Sequence, residues 1–384
     1  DVYWRNVEQQ APLLEGRDLT GQITDVIEQT YPLTIEDPKN DYFGLNTSEL
    51  RDEGFMERRV RAAVSKLNTD LENRIMKVAT QQGSIYYETP STDFDFVAEA
   101  DTIMTERQLY DGEGRSFLLS PRDNQQVAGN IASRSLFPDG RSEYAYDTAL
   151  VGQNVAGFDV YRNMYAGTIT GNTASTTTTA TLNFKPEGAV VTGVDTKTNT
   201  DYRTADIPVT ASASFNVGDV IEMGTNAVTM NDKVDTGELM TFKVVAIPDG
   251  TTLRVFPKPI AWEQRPVTQG GNGALTAAEA AYANVDGEVA SGATINTVNT
   301  TAGTKKVSSF MANDAICVVN GSEPLELLNE FGGMKVDKAT LDNGVDLYIA
   351  YDATVSSLNT EIRLFTRYGV TAKDPSRIGN VRLI

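Results

Sequence analysis

Residues Glu49 to Gln82 read ELRDEGFMERRVRAAVSKLNTDLENRIMKVATQQ, and their apolar positions Met56, Val60, Val64, Leu67, Leu71, Ile75 and Val78 step by three or four. That spacing lines one face of an α-helix and predicts a single long one. Asn46 is placed to cap its start, with Glu49 at the third helical position, and Gly83 to stop it. At 1.5 Å per residue the helix spans about 50 Å, more than a small domain's diameter, so it reads as a strut shared between parts. Charge pairs at helical spacing, Glu57 with Arg61 and Asp70 with Arg74, contribute roughly 0.2–0.5 kcal/mol each, against about 1.5–3 kcal/mol for each side chain buried from the stripe. Packing therefore governs the strut.

Ahead of it, residues 1–38 alternate weakly around Val2, Trp4 and Val7, break at Pro12 and Gly16, and resume at Ile23, Val26 and Ile27 before Pro32. The pattern predicts two extended strands joined by a polar loop, with too few apolar side chains to bury themselves. A lone two-stranded ribbon is marginal in water. The arm is thus expected to lie on something else, either the rest of the chain or another copy.

The 384 residues suffice for two or three domains, and 40% hydrophobic with 22% charged residues is ordinary globular composition. No run of eighteen apolar residues occurs, so no membrane span is expected. Histidine is absent and Cys317 is the only cysteine, which removes the usual proton shuttles, thiolate nucleophiles and zinc ligand sets. Cys317, inside the apolar run Ala315 to Val319, reads as a small core residue. A formal charge of −19 argues against sequence-independent nucleic-acid binding, whose affinity comes from Lys and Arg displacing condensed cations.

After the strut, Tyr86 to Asp95 looks extended, Phe94 to Leu109 helical, Ser116 to Leu119 a strand, and Pro121 opens a further helix through Val127 and Ile131. Near Gly167 the composition turns to Thr, Ser, Ala, Gly and Asn. There Ile207, Val209, Ala211, Ala213 and Phe215 alternate, and Phe242 to Ile247 with Leu253 to Phe256 flank Pro248-Asp249-Gly250-Thr251 as a hairpin. Short strands between turn signals predict a small β-barrel or sandwich, inserted between about Thr168 and Asp286, with Gln269 to Gly273 in its exit linker. From Asp314 the pattern is α+β again, and Val345 to Tyr351 with Glu361 to Tyr368 read as paired strands of the first domain's sheet.

Enzyme signatures are missing. Gly303-Thr304-Lys305 lacks phosphate-loop spacing, and no Gly-x-Ser-x-Gly elbow exists. Asp93 and Asp95 have no neighbour that would separate their pKa values, and capping a helix is their expected task. Neither catalysis nor a cofactor or metal is expected.

Several short stretches, each weak alone, share one order across nearly the whole chain. They are Val7-Glu8-Gln9, Glu15-Gly16, Asp18-Leu19-Thr20, Leu50-Arg51-Asp52-Glu53, Phe96-Val97-Ala98, Val155-Ala156-Gly157-Phe158-Asp159, Pro257-Lys258-Pro259, Tyr282-Ala283-Asn284-Val285, Asp314-Ala315-Ile316, more loosely Ala350 to Leu358, and Tyr368-Gly369-Val370. In this order the chain resembles tailed-phage coat proteins of the Hong Kong 97 fold, and more specifically the coat protein family of the short-tailed phage P22, whose members carry an inserted β-barrel.

The resemblance implies an α+β chain with an extended E-loop arm over 1–46, spine helix and peripheral domain over 47–120, and the axial domain over 121–167 and 287–340. The inserted β-barrel would occupy 168–286, with a return to the peripheral domain over 341–384. It further implies subunit contacts by Trp4, Arg5, Glu15, Arg17 and Asp18 on the arm, and by Asp195, Lys197, Asp201 and Arg203 on an insertion-domain loop reaching across a two-fold axis. The implied role is a major capsid protein assembling with itself into pentons and hexons around double-stranded DNA in the bacterial cytoplasm, with scaffolding and portal proteins as partners. The resemblance also implies a scaffold-facing segment ahead of the E-loop, which would precede Asp1. No lysine precedes Lys39, so the covalent lysine-to-asparagine chainmail of some such coats is not expected. A nanocompartment shell of the same fold and a carbohydrate-binding surface or tail adhesin are the alternatives.

Overall fold

The computed structural model describes residues 2–8, 28–46, 48–109, 114–133, 141–149, 151, 154–186, 201, 203–331, 335–341, 343–354 and 359–384. The expected strut is a helix of 30 residues, Glu53–Gln82. It starts later than the Asn46 cap suggests, because Asn46 and Glu49 form their reciprocal bonds around a separate 3-10 turn, Glu49–Arg51. The Asn46 side chain accepts from the Glu49 N–H at 3.0 Å, and Glu49 accepts from the Asn46 N–H at 3.0 Å. Asp52 then takes over, its carboxylate accepting from the Phe55 N–H at 3.2 Å. At the far end Gly83 is required by space: a Cβ there would lie 2.8 Å from both the Ala79 carbonyl and Ile378.

The chain divides into two compact units, and the helix gives Glu53–Ile75 to one and Met76–Gln82 to the other. In the first, four antiparallel strands run in the order Lys335–Thr340, Asp346–Thr354, Asn359–Thr366, Lys39–Leu45. The paired strands read from the sequence are its centre, with Tyr351 opposite Ile362. Alternation gives the sheet two apolar faces. Leu45, Leu347, Ile362 and Leu364 pack with Ala63, Leu67, Val60 and Val64 of the helix, while Val336, Tyr348, Ala350 and Phe365 pack with Leu325 and Leu328 of the helix Leu325–Phe331. Lys39–Leu45, within the span 1–46 expected as arm, are therefore a sheet edge. Cys317 is half-buried rather than a core residue.

The second unit holds a five-stranded sheet in the order Ile85–Thr89, Ile378–Leu383, Ser308–Ala312, Arg115–Leu119, Asp159–Arg162, parallel at both outer pairings. Phe117 sits at its core, its ring centroid within 6 Å of those of Phe96, Phe158 and Phe310. The helices Asp95–Glu106 and Pro121–Ser133 cover it. Phe94, not an aspartate, is the N-cap of the first and makes no side-chain cap bond, while Asp95 lies in the first turn, where a negative charge meets the helix's positive end.

Within this unit lies the inserted module, a six-stranded antiparallel sheet ordered Ser175–Thr177, Thr294–Thr297, Val220–Val228, Asp235–Asp249, Thr252–Phe256, Ala205–Pro208. Its two outer strands meet: Thr178 bridges Val209, and the Thr210 N–H donates to the Thr177 carbonyl at 2.9 Å. The sheet thus closes into a barrel around Ile207, Ile221, Phe242, Val244, Leu253 and Ile295. The hairpin over Pro248–Thr251 forms as read, with Asp249 opposite Thr252. Thr294–Thr297 extends the module past Asp286, and the antiparallel pair Thr168–Thr170 with Thr304–Lys306 marks where the chain leaves and returns.

Candidate assembly surfaces

The arm pairs Val2–Glu8 with Glu28–Thr34 as a two-stranded sheet, and among the described residues no other strand joins either side. Its base is fixed firmly. Tyr31, Leu33 and Ile35 are buried, the Glu36 N–H donates to the Tyr368 carbonyl at 3.2 Å, and Glu36 forms an ion pair with Arg74. Gly369 makes this closeness possible, since a Cβ there would stand 2.3 Å from the Thr34 carbonyl. Of the arm residues expected to make contacts, Glu15, Arg17 and Asp18 lie outside the described residues, as do the side chains of Trp4 and Arg5.

Among the loop residues, Asp195 and Lys197 likewise fall outside the described part. Asp201 and Arg203 are described, and they bind each other. The guanidinium grips the Asp201 carboxylate through two bonds of 2.9 Å, donates to the Ala372 carbonyl, and stacks 5.0 Å from the Tyr31 ring and 5.1 Å from that of Phe256. Its side chain is only 5% exposed. Within the chain Arg203 is an internal clamp where the loop rejoins the barrel. Sequence gives no warning, because Asp-x-Arg in a polar stretch looks alike whether exposed or buried.

A third surface escaped the sequence reading. Ala128, Ala132, Ala145 and Ala149 line a groove of about 480 Å³ on the helices Pro121–Ser133 and Arg141–Thr148. Met164 at its wall is 67% exposed, and Tyr144 and Tyr161 are close to half exposed. Small residues on a helix face were visible in the sequence. What was hidden is that Met164 stays uncovered among the described residues of this unit.

Two buried groups of the second unit titrate away from their ordinary values. Burial pushes the Asp123 carboxyl up, against hydrogen bonds from Ser308 and Ser120 that lower it. Burial pulls Lys243 down to about 7, with the Asp219 charge opposing. Among the described residues no group of three or more Cys, Asp or Glu is placed to hold a metal ion.

The chain is similar to several solved phage structures. One of Mycobacterium phage Che8 matches with 10% identity over 100% of this chain and 84% of that one, TM-score 0.44. The capsid of Ralstonia phage GP4 matches with 9% identity over 99% of this chain and 82% of that one, TM-score 0.44. The isolated CUS-3 coat protein I-domain matches 33% of this chain and 96% of its own length, with 30% identity and TM-score 0.24. The family model described as "P22 coat protein - gene protein 5" matches residues 1–383, so this chain belongs to the P22 coat protein family and is a structural shell protein of a tailed-phage icosahedral capsid.

Proposed function

We propose that the chain forms the pentons and hexons of the shell, each arm draped over an adjacent copy, with scaffolding and portal proteins as partners in the bacterial cytoplasm and double-stranded DNA enclosed without specific binding. The observation that carries this reading is the unpaired ribbon. Two strands expose both outer rows of N–H and C=O groups, and such edges are templates for pairing with another chain. The buried base at Tyr31 and Leu33 supports a fixed launching angle. The open alanine groove beside Met164 supports a second, apolar contact between copies.

Many weak contacts suit this task. Contacts of micromolar to millimolar strength, about −8 to −4 kcal/mol, let a misplaced subunit leave, while their sum holds a closed shell. We assign Trp4, Arg5, Glu15, Arg17 and Asp18 to the arm contact, and Asp195 and Lys197 to the loop contact. Negative-stain images of the expressed chain are expected to show closed shells. A stable monomer at high concentration, with the ribbon's amides protected from exchange, would overturn the reading.

A further inference from the structure

Two of the stretches that carry the family resemblance meet inside the second unit. Pro257-Lys258-Pro259 and Tyr282 to Val285 are tied by Asn284, whose amide donates to the Lys258 carbonyl at 2.9 Å and accepts from the Ile260 N–H at 2.9 Å. Beside them is a cavity of about 80 Å³. At about 10–15 Å³ for each water, it has room for several waters or one small polyatomic ion.

Its walls are strongly cationic. Arg107, Arg203, Lys233 and Lys258 line it, all buried, with Asp374 the only carboxylate among the described lining residues. Arg203 is engaged by Asp201, and Asp374 by Arg377 at 3.4 Å and the Ser376 N–H at 3.0 Å. The other three cations have neutral partners. Lys233 donates to the Ala283 carbonyl at 3.0 Å and Lys258 to that of Lys185 at 3.3 Å. Arg107 donates to the Leu239 carbonyl at 3.3 Å and to the Met240 sulfur at 3.5 Å, and its buried Nε has no partner among the described residues. Desolvation moves both lysines down to about 8, against the Asp201 charge at Lys258, and Arg107 to about 10, against the charges of Glu238 and Glu106. Buried charges are ordinarily matched by an opposite charge or a ligand, and here three converge on one space with no ion pair among the described residues.

We propose that this cavity is a binding site for a small inorganic oxyanion of the phosphate class, held by Arg107, Lys233 and Lys258. A tetrahedral oxyanion offers acceptors in several directions at once, which suits one guanidinium fork and two ammonium groups arriving from separate segments. Half-buried Met230, Asp374 and Ser376 form the rim through which it enters. Bound there, the anion fastens barrel residues Lys233 and Lys258 to Arg107, which follows the helix Asp95–Glu106, so the ionic content of the medium sets how firmly the barrel is held.

Equilibrium dialysis of the full chain against radiolabelled inorganic phosphate, with chloride at matched ionic strength, tests the site. Saturable binding of one phosphate per chain is expected, with a melting temperature that rises with the logarithm of phosphate concentration. The double variant Lys233→Met, Lys258→Met is expected to bind at least about tenfold more weakly, a loss of about 1.4 kcal/mol. Arg107→Lys, which keeps the charge and removes the fork, should weaken binding without abolishing it. Absence of saturable binding in the wild-type chain, which needs no variant to fold, overturns the proposal. So does binding that the double variant leaves unchanged, or a rise in melting temperature that is linear in phosphate concentration and equal in variant and parent, as general salt exclusion gives.

Discussion

The inserted barrel and the leading arm are both antiparallel strands, and they solve the edge problem in opposite ways. In the barrel, Ser175–Thr177 and Ala205–Pro208 would be open edges, but the Thr178 to Val209 bridge joins them and the interior fills with side chains such as Phe242 and Val255. In the arm, Val2–Glu8 and Glu28–Thr34 have only each other among the described residues, and Tyr31 and Leu33 at the base are buried. Backbone pairing satisfied internally makes a domain, whereas pairing left open makes a joint.

The sharpest way to break this contrast is to delete residues 2–27. Shells are expected to vanish from electron micrographs and from sedimentation profiles, while the melting transition of the barrel stays in place. Shells of normal yield from the truncated chain would mean that the arm is not borrowed stability after all.

Next in size is Arg203, which ties the barrel's returning strand to Tyr31 at the arm's base. Arg203→Ala removes one partner of a buried pair and strands the Asp201 carboxylate, a change expected to cost about 3–5 kcal/mol in urea denaturation. Arg203→Lys keeps the charge but loses the two-bond grip and the stacking, and should recover only part of it.

Lys243 tests the barrel alone. Its folded pKa of about 7 lies below the ordinary lysine value of 10.5, so the unfolded chain binds more protons between those limits. Stability should therefore rise with pH from about 7 toward 10. The penalty is fully present below the folded value and relieved above it. Lys243→Met should flatten that slope and raise barrel stability at pH 7 by on the order of 2–4 kcal/mol, measured by calorimetry across the pH range.

The smallest effect expected is on nucleic acid. With a net charge of −19, unassembled subunits should retain almost no double-stranded DNA on a filter even at low salt, and tight retention would contradict enclosure without binding.

What the sequence made legible follows from range of interaction. The strut's stripe from Met56 to Val78 and the hairpin around Asp249 are set by neighbours a few residues away, and both form as read. The start of the strut shifts because Asn46 caps a short turn and Asp52 caps the helix, two adjacent signals of the same chemistry. Gln269 to Gly273, read as linker for its glycines, is a compact turn: Arg265 donates to the Gln269 carbonyl at 2.7 Å, and a Cβ on Gly271 would stand 2.1 Å from the Arg265 carbonyl. The barrel's strand Thr294–Thr297 is polar in sequence, and its partners Ile221 and Thr176 are distant in the chain. The fate of Arg203, and the gathering of Arg107, Lys233 and Lys258, depend on contacts of the same long range.

Because Thr168–Thr170 and Thr304–Lys306 pair side by side, with Ile169 opposite Lys305, the polypeptide departs and comes home at one doorway. The barrel also touches the frame beside that doorway, Val220 packing with Tyr86 and the Thr241 hydroxyl donating to the Ser84 carbonyl. The five strands around Phe117 would keep their order if the barrel were exchanged for another module with neighbouring ends, or for a tight turn. A coat subunit of this design is a fixed frame with a socket, and cargo displayed there would be repeated at every position of the shell.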